Sequence, residues 1–317
     1  MNSALFHTPV LFLIYNRPEH TRKVFDVIRQ LRPSHLYIAA DGPREHIPGD
    51  REKCEATREI TKAVDWECSV FTLFRDKNKS TKYAVPDAIN WFFKSNELGI
   101  ILEDDCVPDL SFFNFCEKLL EKYKTDERVM HINGSNYLKG KKYNFKGSYY
   151  FSRLCHPWGW ATWKRAWDLY DFEMENLDQF IRADKLTLLT SNKEWRNYYY
   201  DFLTKTKNGQ IDTWDIQWFY TVWKHSGYVI TPTINLVSNI GFGNDATNTN
   251  YEITRLAEMK KGKVKQIQPD DSFIVNTKAD QRAVEIKVKE GRGNLLQKIN
   301  HKLKLIFKTA GNHHLFI

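Results

Sequence analysis

The stretch GIILEDDCVPD, Gly99 to Asp109, runs four apolar or neutral residues directly into Glu103, Asp104 and Asp105. Three adjacent carboxylates at the end of a buried strand repel one another, a cost that falls when water or a cation takes up the charge. A divalent cation is the common neutraliser. Hard carboxylate oxygens suit Mg2+ or Mn2+, which pair one or two protein carboxylates with a substrate phosphate instead of needing a cage built wholly of protein. The plain alternative is a solvated acidic turn. Two features favour the ion: the strand that leads into the acids, and the basic balance of the chain, which carries a formal net charge of +8 overall with a pI near 9.0. Such a balance favours an anionic partner.

The elements that must position these acids follow from periodicity. Val10 to Tyr15 reads as a buried strand. In the following NRPEHTRKVFDVIRQLRP, Val24, Val27, Ile28 and Leu31 recur at helical spacing until Pro33. His35 to Ala40 is a second strand, closed by a turn at Asp41 and Gly42. REKCEATREITKAV is a helix with Ile60 and Val64 on its apolar side, CSVFTLFRD a third strand, and YAVPDAINWFFKSN a helix capped or kinked near Pro86. Gly99 to Leu102 is the fourth strand. Strands alternating with helices over the first hundred or so residues predict an α/β fold, a mainly parallel sheet covered by helices on both faces. Ligands of such sheets gather at the carboxyl ends of the strands, where Arg17, Asp41 and Glu103 to Asp105 all fall.

SFFNFCEKLLEKYKTDERV is an amphipathic helix and VMHINGSNY a short strand. Eight of the ten tryptophans then fall between Trp158 and Trp223, as expected for the shaped, aromatic side of a cleft. Residues 251–290 read as a polar extension. Over residues 291–317, Leu295, Leu296, Ile299, Leu303 and Ile306 lie along one side with lysines around them, a basic amphipathic helix that could dock on its own domain, on a sister subunit, or, through 295–308, on an anionic membrane surface.

With 317 residues and 42% hydrophobic content the chain can bury a full core, which excludes general disorder. Five cysteines without CxxC pairing suggest neither a disulfide framework nor a zinc knuckle, so a reducing cytoplasm is the expected compartment. PVLFLIY, Pro9 to Tyr15, is too short to span a bilayer. The lysines are spread and no RRM, KH or helix-turn-helix signature occurs, which argues against a nucleic-acid partner.

Taken together, LIYNRPEHT, AADGPRE, AINWFF, GIILEDDCVPDLSFFNFC, HPWGWATW and TWDIQW resemble the nucleotide-sugar glycosyltransferases of GT-A fold, in particular bacterial family 2-like proteins of the N-acetylglucosaminyltransferase I type. The resemblance covers about residues 8 to 250; EDD alone is weakly specific, whereas EDD followed in order by SFF, HPWGW and WDxxW is strong. It divides the chain into a nucleotide-binding half, about 8–110, and an acceptor half, about 111–250. It implies that Asp105 holds the metal bridging the donor diphosphate, with Asp104 and Glu103 facing the metal's water shell, the ribose or the sugar. Asp41 resembles the acid that accepts a hydrogen bond from the base, which favours uracil. Arg17 resembles the basic residue that steadies the nucleotide and its phosphates.

Breaking the bond from anomeric carbon to phosphate sends a nucleoside diphosphate away with added negative charge, so a cation and basic groups aimed there lower the barrier. Lys77, Lys79 and Lys82 in DKNKSTKYA are candidates, with Lys82 preferred, although relatives carry small, glycine-containing residues in this loop. An acceptor hydroxyl must lose its proton as it attacks, which calls for a carboxylate. Asp215 matches the family's general base, implying inversion, with Asp212 the near rival; as a structural alternative Asp215 caps a helix starting at Ile216. HPWGWATW resembles the loop shaping the sugar pocket, with Gly159 allowing close backbone approach and Trp158 and Trp160 offering flat faces. Trp163 and Trp167 read as core, and His156 as structural. NIGFGNDATNT resembles a loop closing over the donor, with Asn248 where relatives often have histidine and Asp245 nearby.

The expected partners are thus a UDP-sugar and a glycan or lipid-linked saccharide acceptor, in the building of a bacterial surface polysaccharide or lipid-linked glycan, by a cytoplasmic protein that could be peripheral on the inner membrane face. The rivals are a binding protein without transfer activity and a nucleotidyltransferase, which would show a glycine-rich basic loop after the first strand. YNRPEHTRK contains no glycine.

Overall fold

A computed structural model describes residues 5–287 apart from 139–142, 144, 243–255, 257, 258, 270 and 271. The expected basic helix through 295–308 lies outside the described residues, as do Asp245 and Asn248. The first half runs β1 (Val10–Ile14), α1 (Pro18–Leu31), β2 (His35–Ala40), α2 (Asp50–Ile60), β3 (Ser69–Phe74), α3 (Thr81–Phe93) and β4 (Leu98–Glu103). A short strand β5 (Cys106–Pro108), helix α4 (Leu110–Lys122) and strand β6 (Val129–Asn133) follow. The second half contains β7 (Tyr149–Ser152), β8 (Trp160–Trp163), α5 (Lys164–Trp167), α6 (Leu177–Arg182), α7 (Lys193–Lys207), α8 (Asp215–Lys224), β9 (Tyr228–Pro232) and β10 (Val237–Asn239).

Eight strands form one sheet in the order β3-β2-β1-β4-β8-β6-β9-β7, and β5 pairs with β10 beside it. Only β8 and β7 run against the rest. The mainly parallel α/β sheet inferred from the alternation is what the chain forms. Because helices cover both faces, the strands read as unbroken apolar runs. Val10, Phe12 and Ile14 face α1, α2 and α4, whereas Leu11 and Leu13 face α3 and the tryptophan-rich helices α5 to α8. The chain leaves β1 outward through β2 and β3 and returns to β4 on the other side of β1. That reversal opens a crevice at the carboxyl ends of β1 and β4, directly above Arg17 and the acids.

Parts of the polar extension pack on the domain. Asn276 donates its backbone N–H to the Phe151 carbonyl at 2.8 Å, and a helix over 277–287 buries Ala279, Ala283 and Val284. Periodicity missed it because four small or β-branched residues supply its apolar side. Within it, Asp280 is 1% exposed and accepts hydrogen bonds from Ser152 Oγ at 2.6 Å and the Arg153 N–H at 2.8 Å. Burial pushes its carboxyl up to about 7. The native state therefore keeps a proton that the unfolded chain gives up near pH 4, so stability is lost as pH rises from there through 7. Asp280→Asn can keep both partners without titrating. Its advantage over wild type in urea unfolding is expected to grow by about 2 kcal/mol between roughly pH 5 and 8; an advantage independent of pH would contradict this.

Candidate functional site

The crevice is a cleft of about 730 Å3, within the usual range for small-molecule sites. Six carboxylates line it (Asp41, Glu103, Asp104, Asp105, Asp212 and Asp215) against three guanidinium groups (Arg17, Arg44 and Arg75). The fold brings these together from five connections, each at a strand end or helix start.

The three acids are not equivalent. Asp104 is 2% exposed; its carboxylate accepts from the Tyr15 N–H at 3.3 Å and is paired with Arg17. Asp105 lies 3.1 Å from Arg17 Nη1 through Oδ2 and accepts from Asn239 Nδ2 at 3.3 Å through Oδ1. Glu103 is half-buried at the last position of β4, and its carboxyl group has no hydrogen-bond partner among the described residues. Burial, then the charges of Asp105 and Asp104, push its carboxyl well above the ordinary range, with Arg17 opposing. The carboxyl of Asp104 is raised too, by burial against the pull of Arg17.

Asp41 follows β2 and is turned toward its own chain. It accepts from the N–H groups of Gly42 at 2.9 Å and Lys79 at 3.0 Å, and from Asn78 Nδ2 at 3.0 Å. Burial raises its carboxyl against those donors. Lys82 does not line the cleft. Its Nζ lies 5.5 Å from the ring centres of both Tyr83 and Phe172, a cation–π contact that ties α3 to the acceptor half. The Lys79 ammonium pairs with Asp87 at 3.3 Å on the surface.

Asp215 lines the cleft from the acceptor side and accepts from the Thr213 hydroxyl. It is the first residue of α8, with Trp214 in the capping position, so it does not cap the helix as the sequence alternative had it. The helix N-terminus still favours negative charge there. Asp212 is exposed and accepts from Ser80 Oγ at 3.4 Å across the cleft. Trp158 lines the cleft and meets Phe242 edge-on at 5.5 Å. Gly159 has φ +63, and a Cβ there would crowd Val237 at 2.9 Å. Trp160 is fully buried: alternation along β8 sends its ring inward, stacked on His131 at 4.9 Å and Trp214 at 5.8 Å. Trp163 and Trp167 are buried as well. His156 Nδ1–H donates to the Ser135 carbonyl at 2.9 Å, and burial pushes its imidazole down to about 3.

Sequence reasoning did not single out Tyr15, Arg44 and Asp50. Asp50 accepts from Tyr15 Oη at 2.8 Å, Asn16 Nδ2 at 2.6 Å and Arg44 Nη2 at 2.7 Å. Burial opposes its ionisation, yet hydrogen bonds from Arg44, and then Tyr15 and Asn16, hold it well below the carboxylate range. The network fixes Arg44 in the cleft wall. Arg44 sits within AADGPRE, so its proximity to Asp41 was a usable signal; no pattern pointed to Asp50.

Among the described residues no three His, Cys, Asp or Glu side chains are grouped to hold an ion by themselves. The donor set nevertheless fits Mg2+ or Mn2+, which need only one or two carboxylates when a phosphate completes the shell. Asp105 with Glu103 or Asp104 would supply them, and the excess of carboxylates over guanidinium groups leaves charge to neutralise. No helix among the described residues is long and apolar enough to cross a membrane.

No family model and no curated relative matches the chain. Among solved structures, the chain is similar to UDP-glucose pyrophosphorylase complexed with UDP-glucose (10% identity, 71% of this chain and 90% of that chain, TM-score 0.35). It is also similar to mouse xyloside xylosyltransferase 1 in its apo form (13% identity, 68% and 81%, TM-score 0.31). A third is the inositol-1-phosphate CTP transferase from T. maritima (8% identity, 90% and 98%, TM-score 0.34). None of these scores reaches 0.5, and the reading that follows rests on the chain's own residues.

Proposed function

We propose that this chain is a metal-dependent, inverting glycosyltransferase that moves a sugar from a UDP-sugar to a hydroxyl of a glycan or lipid-linked saccharide. One observation carries the reading: a single cleft at the carboxyl ends of parallel strands joins Arg17 and the acids 103–105 on one wall to Asp215 on the other. Arg17 and Arg44 hold the nucleotide diphosphate, with the Tyr15, Asn16 and Asp50 network keeping Arg44 in place. Asp105 would hold a divalent ion, which when bound would supply Lewis-acid stabilisation of the leaving diphosphate. Asp215 takes the proton of the acceptor hydroxyl as it attacks the anomeric carbon from the opposite side. Trp158 and Phe242 give the sugar an apolar wall.

The competing nucleotidyl transfer is disfavoured by the first loop. Only Tyr15, Asn16 and Arg17 separate β1 from α1, too few residues, and no glycine, for a backbone cradle around a triphosphate. Product analysis tests the choice. Incubation with UDP-sugars, Mn2+ and saccharide acceptors should release UDP and yield glycoside, read by phosphorus NMR. Pyrophosphate formed from UTP and a sugar phosphate would instead make the chain a nucleotidyltransferase. Thermal stabilisation by a panel of nucleotide sugars with Mn2+ identifies the donor, since a ligand of the folded state at 100 times its Kd adds about 2.7 kcal/mol.

A further inference from the structure

We infer that Arg17 is the chain's own occupant of the cation seat in this cleft, so that a divalent metal and a nucleoside diphosphate bind with positive coupling, each easing the entry of the other. This rests on the reading above of the cleft as a metal and nucleotide site. Arg17 Nη2 pairs with Asp104 and Nη1 lies 3.1 Å from Asp105 Oδ2. One guanidinium therefore spans the two carboxylates, Asp105 being the one a metal is expected to use. The pair is enclosed. The Arg17 side chain is 15% exposed and that of Asp104 3%, while a Cβ on Gly241 would collide with Asp105 Oδ2 and lie 2.9 Å from Arg17 Nη1. The Ile240 N–H to the Asp105 carbonyl, at 2.9 Å, holds that backbone over the pair.

Charge-assisted forks of this kind are strong and directional. A second cation brought beside Arg17 meets both repulsion and carboxylate oxygens already in use. A diphosphate changes that balance. It offers the guanidinium a new anion, and Arg17 Nε, buried without a partner among the described residues, is a donor not yet engaged. As Arg17 turns to the phosphate, Asp105 Oδ2 is released to the metal, and the metal in turn screens the diphosphate from the acids. Coupling of binding is reciprocal, so the same factor must appear whichever ligand is varied.

The test is calorimetric titration of the full-length protein with Mn2+ alone, UDP alone, and each in the presence of the other, in wild type, Arg17→Met and Arg17→Lys. In wild type, UDP should tighten Mn2+ at least about tenfold. Arg17→Met should bind Mn2+ alone at least about tenfold tighter than wild type, bind UDP alone more weakly, and lose most of the coupling. Arg17→Lys keeps one charge without the fork and should fall between; it serves as the readout should the methionine variant not fold. If wild type binds Mn2+ with UDP but neither variant binds Mn2+ alone more tightly, the inference is overturned and the functional reading stands. If wild type binds no Mn2+ even with UDP, the metal-dependent reading fails and takes the inference with it.

Discussion

Asp215→Asn is expected to lower kcat for sugar transfer by about 100- to 10,000-fold, the usual contribution of a positioned general base, while leaving UDP-sugar binding unchanged. The asparagine is nearly isosteric and can still accept from the Thr213 hydroxyl, so the loss reports the missing base and not a moved loop. Asp212→Asn is the control. Asp212 is exposed and the one hydrogen bond of its side chain among the described residues, from Ser80 at 3.4 Å, is long, so that variant should retain most activity. Steady-state assays of both variants under saturating donor decide the matter: equal turnover in wild type and Asp215→Asn removes Asp215 as base, and a collapse confined to Asp212→Asn transfers the role to its neighbour.

Trp160→Ala is expected to destabilise the fold by about 3 to 5 kcal/mol, the cost of a cavity left by a fully buried tryptophan, and to lower Tm by on the order of 10 °C. Its ring touches His131, Trp214, Trp218 and Trp167, so truncation removes contacts with β6, α5 and α8 together. Trp158→Ala supplies the contrast. Trp158 lines the cleft, so its loss should raise KM with a smaller change in Tm. Thermal unfolding and kinetics of the two variants separate wall from core; a Trp160→Ala protein with wild-type Tm and raised KM would place Trp160 in the pocket after all.

These two side chains mark how far the sequence could be read. The order of elements through β4 was legible because each apolar run is bounded by Gly, Pro or charged residues and each helix repeats its apolar positions every three or four residues. The residues past β1, β2 and β4 were legible as cleft residues because parallel strands must present their carboxyl ends to one crevice. Trp158 and Trp160 looked alike in HPWGW. Residues two apart share a face only within a strand; β8 begins at Trp160, after the positive φ of Gly159 has turned the chain, so one ring stays at the cleft and the other enters the core.

Lys82 shows the same limit in charge. Its number and sign suited a phosphate, yet Tyr83 and Phe172 hold its ammonium outside the cleft. What the sequence determined by itself was the local and the periodic: an α/β chain, a parallel sheet, acids at a strand end, a carboxylate at the start of α8. What only the tertiary structure decided was pairing between residues far apart in the chain. Arg17 bridges Asp104 and Asp105, Asp50 fixes Arg44, and Asp280 closes on Ser152. Each partner choice depends on distances that folding sets through the register of the sheet and the packing of helices upon it, and no one-dimensional spacing encodes those distances.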